Sequence, residues 1–283
     1  MTDRTPSATP RPLRQALRIG AALTTLGLMV GCATTAVAPR LWEGFADHPA
    51  GYLTKATTIN ATNFLPRWPA AGSPRGDSDR AIYRATRQLQ GSPRWTLAIQ
   101  DAELDTPRAP YKAFACALGV EIDPASAPTL TRLLGSIQPD VDLALNPAKL
   151  AMPRPRPFVS EDRPICVAKA DWLAKSGSYP SGHSAAGWAW GLTLSRLAPD
   201  RQEAILKRAM ALGESRVVCG VHYASDVEAG RVVGAAVVAE LQAHARYQAD
   251  LVSARRELTA LRRQGHPPAH CQLEAQALSQ PAY

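Results

Sequence analysis

Apolar residues recur at three- and four-residue spacing through much of the chain, a period that predicts helices. Asp77 or Ser78 is a candidate cap for a helix through Ile82, Ala85 and Leu89, closed by Gly91. Ser92 and Pro93 place a cap before a proline at the first helical position, opening a helix through Trp95, Ile99 and Ala102. Leu130, Leu133, Leu134 and Ile137 share one face of a helix expected over 126–142. Two more helices are predicted over 184–197 and 200–217. The segment 226–244 is apolar enough to require burial, and 245–263 is amphipathic, with Leu251, Leu258 and Leu261 on one side. Residues 147–168 are proline-rich and read as extended or turn-like. Few stretches alternate as strands do. The predicted class is all-α, a single-domain helical bundle over 76–263. Residues 32–75 read as a linker and irregular arm, and 264–283 as a loose tail.

Composition supports a folded chain: 46% of the 283 residues are hydrophobic and 20% charged. The net charge of +8 is scattered, with no run of like charges. That favours a generic basic surface that attracts anionic substrates over a nucleic-acid-binding face.

The N-terminus changes the compartment. Arg11, Arg14 and Arg18 precede an apolar stretch from Ile19 to Val30, too short to span a bilayer. It ends in LMVGC, a pattern similar to a bacterial lipoprotein signal with Cys32 as the lipidated first residue. The alternative is cleavage after Ala38 in Ala36-Val37-Ala38. The expectation is therefore a signal peptide over 1–31 and a periplasmic protein anchored to the outer membrane, with a soluble periplasmic or secreted form as the alternative. Removing residues 1–31 leaves a net charge of about +5. No other segment approaches 18 unbroken apolar residues. Cys116, Cys166, Cys219 and Cys271 then allow up to two disulfides in an oxidising compartment, in three pairings. Cys166 with Cys219 is preferred because each lies close to a polar motif. A zinc site is the runner-up, without CxxC spacing to support it.

Three segments carry polar residues that helix packing does not need. SRVVCGVHYASD, 215–226, sets His222 four residues before Asp226. On a helical turn the carboxylate can orient the imidazole, and Arg216 offers a fork for phosphate oxygens. A helix with one His and one Asp is more often an ordinary surface, so this run alone decides little. GSYPSGH, 177–183, opens an Ala-rich helix whose N-terminal N–H groups suit an anion; a plain Pro/Ser turn is the bland reading. Lys149 and Arg156 in KLAMPRPRP, 149–157, would by themselves pass for solvated charges. Arg154, between Pro153 and Pro155, stands as a competitor for the same anion. Together the segments read K-x6-RP, PSGH and SR-x5-H-x3-D, in that order. Eleven specified positions, each met by chance at about 5%, do not arise at random.

This arrangement resembles the type 2 phosphatidic acid phosphatase superfamily, which shares its fold with vanadium haloperoxidases. GSYPSGH is similar to the signature of bacterial class A non-specific acid phosphatases, with Ser184 where that signature has Thr. WTLAIQDAEL, 95–104, and residues 205–241 extend the likeness to about 64–250. The resemblance implies a helical PAP2-type fold and hydrolysis of phosphomonoesters of broad specificity through a phosphohistidine, with phosphotransfer to alcohols as a further activity. It implies His222 as nucleophile, Asp226 orienting it and His183 as general acid and base. Lys149, Arg156, Ser181, Gly182 and Arg216 would bind the phosphate. It implies no cofactor or metal, an acidic optimum, small phosphomonoesters as partners and a homodimer or larger homo-oligomer. The alternatives are a lipid phosphate or diphosphate phosphatase at the membrane and, behind it, a vanadium-dependent haloperoxidase. His48, His244, His266 and His270 lack partners at ligand spacing, and Trp188 and Trp190 read as core.

Overall fold

The computed structural model describes residues 48–103 and 109–283, all within one compact unit, Leu41–Tyr283. The leader, Cys32 and the alternative cleavage motif at 36–38 lie outside the described residues. Eleven α-helices and no strand occur among those described. They are α1 (Pro74–Thr86), α2 (Pro93–Gln100), α3 (Ala109–Leu118), α4 (Pro128–Ala151), α5 (Pro157–Ser160), α6 (Asp171–Lys175), α7 (Gly182–Leu197), α8 (Gln202–Val218), α9 (Ala224–Leu241), α10 (Ala245–Gln264) and α11 (Cys271–Leu278). The fold is all-α, as the periodicity requires.

α7 is the central helix and packs along both α8 and α9. Small residues allow this closeness. A Cβ added at Gly234 of α9 would lie 2.3 Å from the Ala185 carbonyl oxygen, and one at Gly230 would lie 2.4 Å from the Ser181 carbonyl oxygen. The N-terminus of α7 is thereby fixed against the start of α9. Trp190 is fully buried and donates to the Leu134 carbonyl at 2.9 Å, while Trp188 packs against the same core. Both tryptophans are core residues. α10 covers α4, with Leu251, Leu258 and Leu261 buried as the amphipathic pattern predicts.

Several boundaries differ from the sequence reading. α1 is capped by Ser73, whose hydroxyl accepts from Gly76 N–H, with Pro74 following; Asp77 lies in its first turn. α4 runs on to Ala151 through Pro139 and Pro147, so the proline-rich segment begins helical. A proline inside a helix costs an N–H hydrogen bond, and packing of α4 against α7 and α10 offsets that loss. The arm over 48–75 is largely irregular but is fixed in place. Tyr52 and Leu53 N–H donate to the buried Asp140 carboxylate, and Tyr52 Oη donates to Asp250 at 2.8 Å. Burial pushes the Asp140 carboxyl up to about 6.

The tail after Gly265 is not loose. α11 packs on α2, its Glu274 accepts from buried Arg208 at 3.0 Å, and Cys271 is joined to Cys116. The preferred Cys166–Cys219 pair is also formed. With all four cysteines in disulfides, the zinc alternative has lost its ligands.

Candidate active site

The three motifs meet at one end of α7. The segment after α4 is stitched to the GSYPSGH turn, since Ser178 N–H donates to the Arg154 carbonyl at 2.9 Å. That turn is stitched in its turn to α9, since Ser181 N–H donates to the Asp226 carbonyl at 3.0 Å. Ser181 caps α7 by accepting from Ser184 N–H, and Gly182 is the first residue of the helix. Gly220, at φ +85°, turns the chain after α8 and delivers His222. A side chain there is strained, and its Cβ would meet the Arg87 guanidinium at 2.4 Å.

Arg156, Arg216, His183 and His222 line one cavity of about 470 Å³. Its other walls are Ile99 in α2, Ala102 and Glu103 after it, and Val167, Ala168, Ala170, Trp172 and Leu173. Arg156 is buried and directional. Its Nε and Nη2 donate to the carbonyl and hydroxyl of Ser176, both at 3.1 Å, and Nη1 donates to the Val221 carbonyl at 2.9 Å. Nη1 also lies 3.1 Å from His222 Nε2. A guanidinium only donates, so Nε2 accepts and carries the lone pair. The neutral His222 ring therefore bears its proton on Nδ1. The second histidine is set the other way. His183 Nε2 lies 3.2 Å from the Ala102 carbonyl, which only accepts, so Nε2 holds the hydrogen. When His183 gains a second proton, it gains it on Nδ1.

Asp226 is buried beside His222, with Oδ2 3.5 Å from Nδ1. This is an ion-pair approach and exceeds hydrogen-bond length. The Asp226 oxygens have other partners. Oδ2 accepts from Tyr223 N–H at 2.8 Å, and Oδ1 accepts from Arg154 Nη1 at 2.6 Å. The expected orienting contact is thus looser than the spacing suggested.

Arg154 is a correction to the sequence reading. It is 5% exposed and does not line the cavity. It binds Asp79 at 2.9 Å, Ser225 at 2.8 Å and Asp226, and its guanidinium lies over the Tyr223 ring at 4.0 Å. It is therefore a clamp behind the site and no rival for the anion. Asp79 completes the clamp by accepting from Ser225 N–H at 3.0 Å. No sequence motif announces Asp79, and none announces the Ala102 carbonyl.

Lys149, Ser181 and Gly182 flank the cavity without forming its wall. Lys149 Nζ donates to the Gly177 carbonyl at 2.7 Å. Burial, then the charge of Arg156, pushes this ammonium down to about 7. Burial likewise lowers the Arg156 guanidinium to about 10. His222 is held well below the usual imidazole range by burial and by Arg156, Lys149 and Arg216; His183 is held there by burial and then by Arg216. The site is a buried cluster of cations whose repulsion an anion would relieve.

A second network supports it. Ser215 donates to Asp101 at 2.5 Å and accepts from Arg94 at 2.8 Å, while Arg208 holds Asp101 and Glu274. Asp101 directly precedes Ala102, so this network positions the carbonyl that sets the His183 tautomer. Ser215 of the SR motif is structural here, which its place beside Arg216 does not reveal.

Comparison with known proteins follows the same lines. Residues 132–248 match the PAP2 superfamily. An acid phosphatase of Zymomonas mobilis is 41% identical over 74% of this chain and 80% of its own length. A non-specific acid phosphatase of Providencia stuartii is 39% identical over 75% of this chain and 86% of its own. One of Salmonella typhimurium is 35% identical over 74% and 86%. With its three motifs gathered around one cationic cavity, the chain belongs to the PAP2 superfamily and, within it, to the non-specific acid phosphatases.

Proposed function

We propose that the protein hydrolyses phosphomonoesters of broad specificity through a phosphohistidine on His222 Nε2, without a metal. The observation that carries this is the opposed pair of tautomers: Nε2 of His222 carries the ring's lone pair, held by the Arg156 guanidinium, whereas His183 takes up its second proton on Nδ1.

A bound phosphate dianion would take the charge now repelling among Arg156, Arg216 and Lys149, and it would draw Arg156 away from His222 Nε2. These cations stabilise the phosphoryl group as it transfers. Nε2 attacks phosphorus in line, the P–N bond forms, and the bond to the ester oxygen breaks. His183 gives its Nδ1 proton to that oxygen. The same neutral His183 then takes a proton from water, whose oxygen displaces His222 and releases phosphate. An alcohol in place of water would give phosphotransfer. Asp226 offsets the positive charge on the His222 ring during the covalent stage. In the free site the lowered proton affinity of His222 keeps its lone pair available at acidic pH; with the dianion bound, burial alone continues to act in that direction. The dianion raises the proton affinity of His183 by offsetting Arg216 and Arg156.

The two disulfides support export to an oxidising compartment, in keeping with a periplasmic protein tethered through Cys32. No described helix is long and apolar enough to cross a membrane. The test is hydrolysis of p-nitrophenyl phosphate, nucleotides and a lipid phosphate, with and without EDTA, by wild type and His222→Ala. Activity on the water-soluble esters that survives EDTA and vanishes in the variant is expected. Activity retained by His222→Ala overturns the covalent route, and EDTA-sensitive activity overturns the metal-free one.

A further inference from the structure

The cavity has a second half that phosphate chemistry does not use. Beyond the cations, its wall is formed by Ile99, Val167, Trp172 and Leu173. Trp172 is 54% exposed and Ile99 42%, two large apolar side chains left open in the wall of one charged cavity. α6 explains how Trp172 is held there. Leu173, next in sequence, is buried with Trp95, Phe158 and Val221, and so anchors the helix. The Cys166–Cys219 bond and the hydrogen bond from Cys166 N–H to the Cys219 carbonyl fix the segment leading into it. The Trp172 carbonyl accepts from Ser176 N–H at 3.0 Å, and Ser176 in turn holds Arg156 through its carbonyl and hydroxyl. One short segment thus positions both the indole and the phosphate-facing guanidinium. The two halves form one continuous cavity, of a volume that suits an organic ester rather than phosphate alone.

We propose that Trp172 is a specificity-determining residue, forming with Ile99 and Leu173 a subsite for a flat, apolar leaving group. It rests on the phosphatase reading above and names the preferred substrate class: phosphomonoesters whose alcohol carries an aromatic ring within reach of the indole. A ring stacked there leaves water as the ester enters and returns to water only when the alcohol departs. The contact is made in the ground state and at the transition state alike, so it acts on kcat/KM mainly through KM.

The test compares 2-phenylethyl phosphate with ethyl phosphate, whose alcohols are of similar basicity and differ in the ring. We expect wild type to favour the phenylethyl ester by about tenfold in kcat/KM. Trp172→Ala brings the two esters within about twofold, and Trp172→Phe keeps most of the preference. The side chain is half exposed, so neither change disturbs the core. A wild type that does not distinguish the esters, or a preference that survives in Trp172→Ala, overturns the subsite while leaving the phosphatase reading intact. Failure of wild type to hydrolyse either ester overturns that reading and the subsite with it.

Discussion

Lys149 offers the sharpest prediction, because its charge is removed within an accessible pH range. Its ammonium is lowered from 10.5 to about 7 by burial and by Arg156. Below that pH it is charged and, in the proposed mechanism, helps hold phosphate; above it the free enzyme loses one of the three cations that mechanism uses. An arginine keeps its charge throughout. The perturbation is Lys149→Arg, and the assay is kcat/KM for an aryl phosphate from pH 5.5 to 9, which reports ionisations of the free enzyme and free substrate. The ratio of variant to wild type cancels the ionisations the two share, including those of the substrate. It should be flat on the acid side and rise about tenfold per pH unit above about pH 7. It should level off near a hundredfold, the usual effect of losing one transition-state donor. Its absolute value will start below one, since a planar fork does not reproduce the Nζ bond to Gly177. The slope carries the argument. A ratio that stays flat to pH 9 would show that Lys149 does not discharge there or that its charge does not serve the phosphate.

Two further outcomes follow from the packing. Arg154→Met leaves Asp79 and Asp226 buried with their shared cation gone, and should cost about 3–5 kcal/mol of stability; a change below about 1 kcal/mol in denaturant unfolding would contradict the clamp. Replacing Cys166 and Cys219 together by serine opens a loop spanning 53 positions. It should cost about 4 kcal/mol, read as a melting temperature lower by about 10 °C, and an unchanged melt would refute the role given to this bond.

Much of the helical framework is legible in the residues. α7 and α9 are read correctly because their Ala- and Gly-rich faces and apolar periods leave one arrangement that buries them. α4 is cut short in the sequence reading because Pro147 is a local stop signal, overridden by packing that no local window contains. α11 is missed because it has only eight residues and depends on Cys116 and Arg208, far away in the chain. The site divides the same way. The motifs announce His183, Arg156, Arg216 and His222, and all four reach the cavity. They misdirect at Arg154, whose partner Asp79 is 75 positions distant. They are silent on the Ala102 carbonyl, since a backbone atom leaves no mark in residue type. Trp172 is legible only as an aromatic residue in a loop-rich stretch until the cavity wall is seen.

The proposed reaction turns on a covalent bond to one named atom, Nε2 of His222. Rapid acid-free quenching of the enzyme during turnover of a phosphorus-32-labelled aryl phosphate, followed by peptide mapping, tests it directly. The account predicts acid-labile, base-stable label on His222, bonded through Nε2, and none in His222→Ala. Steady turnover with no label on His222 in the wild type, at times when product is forming, would contradict it.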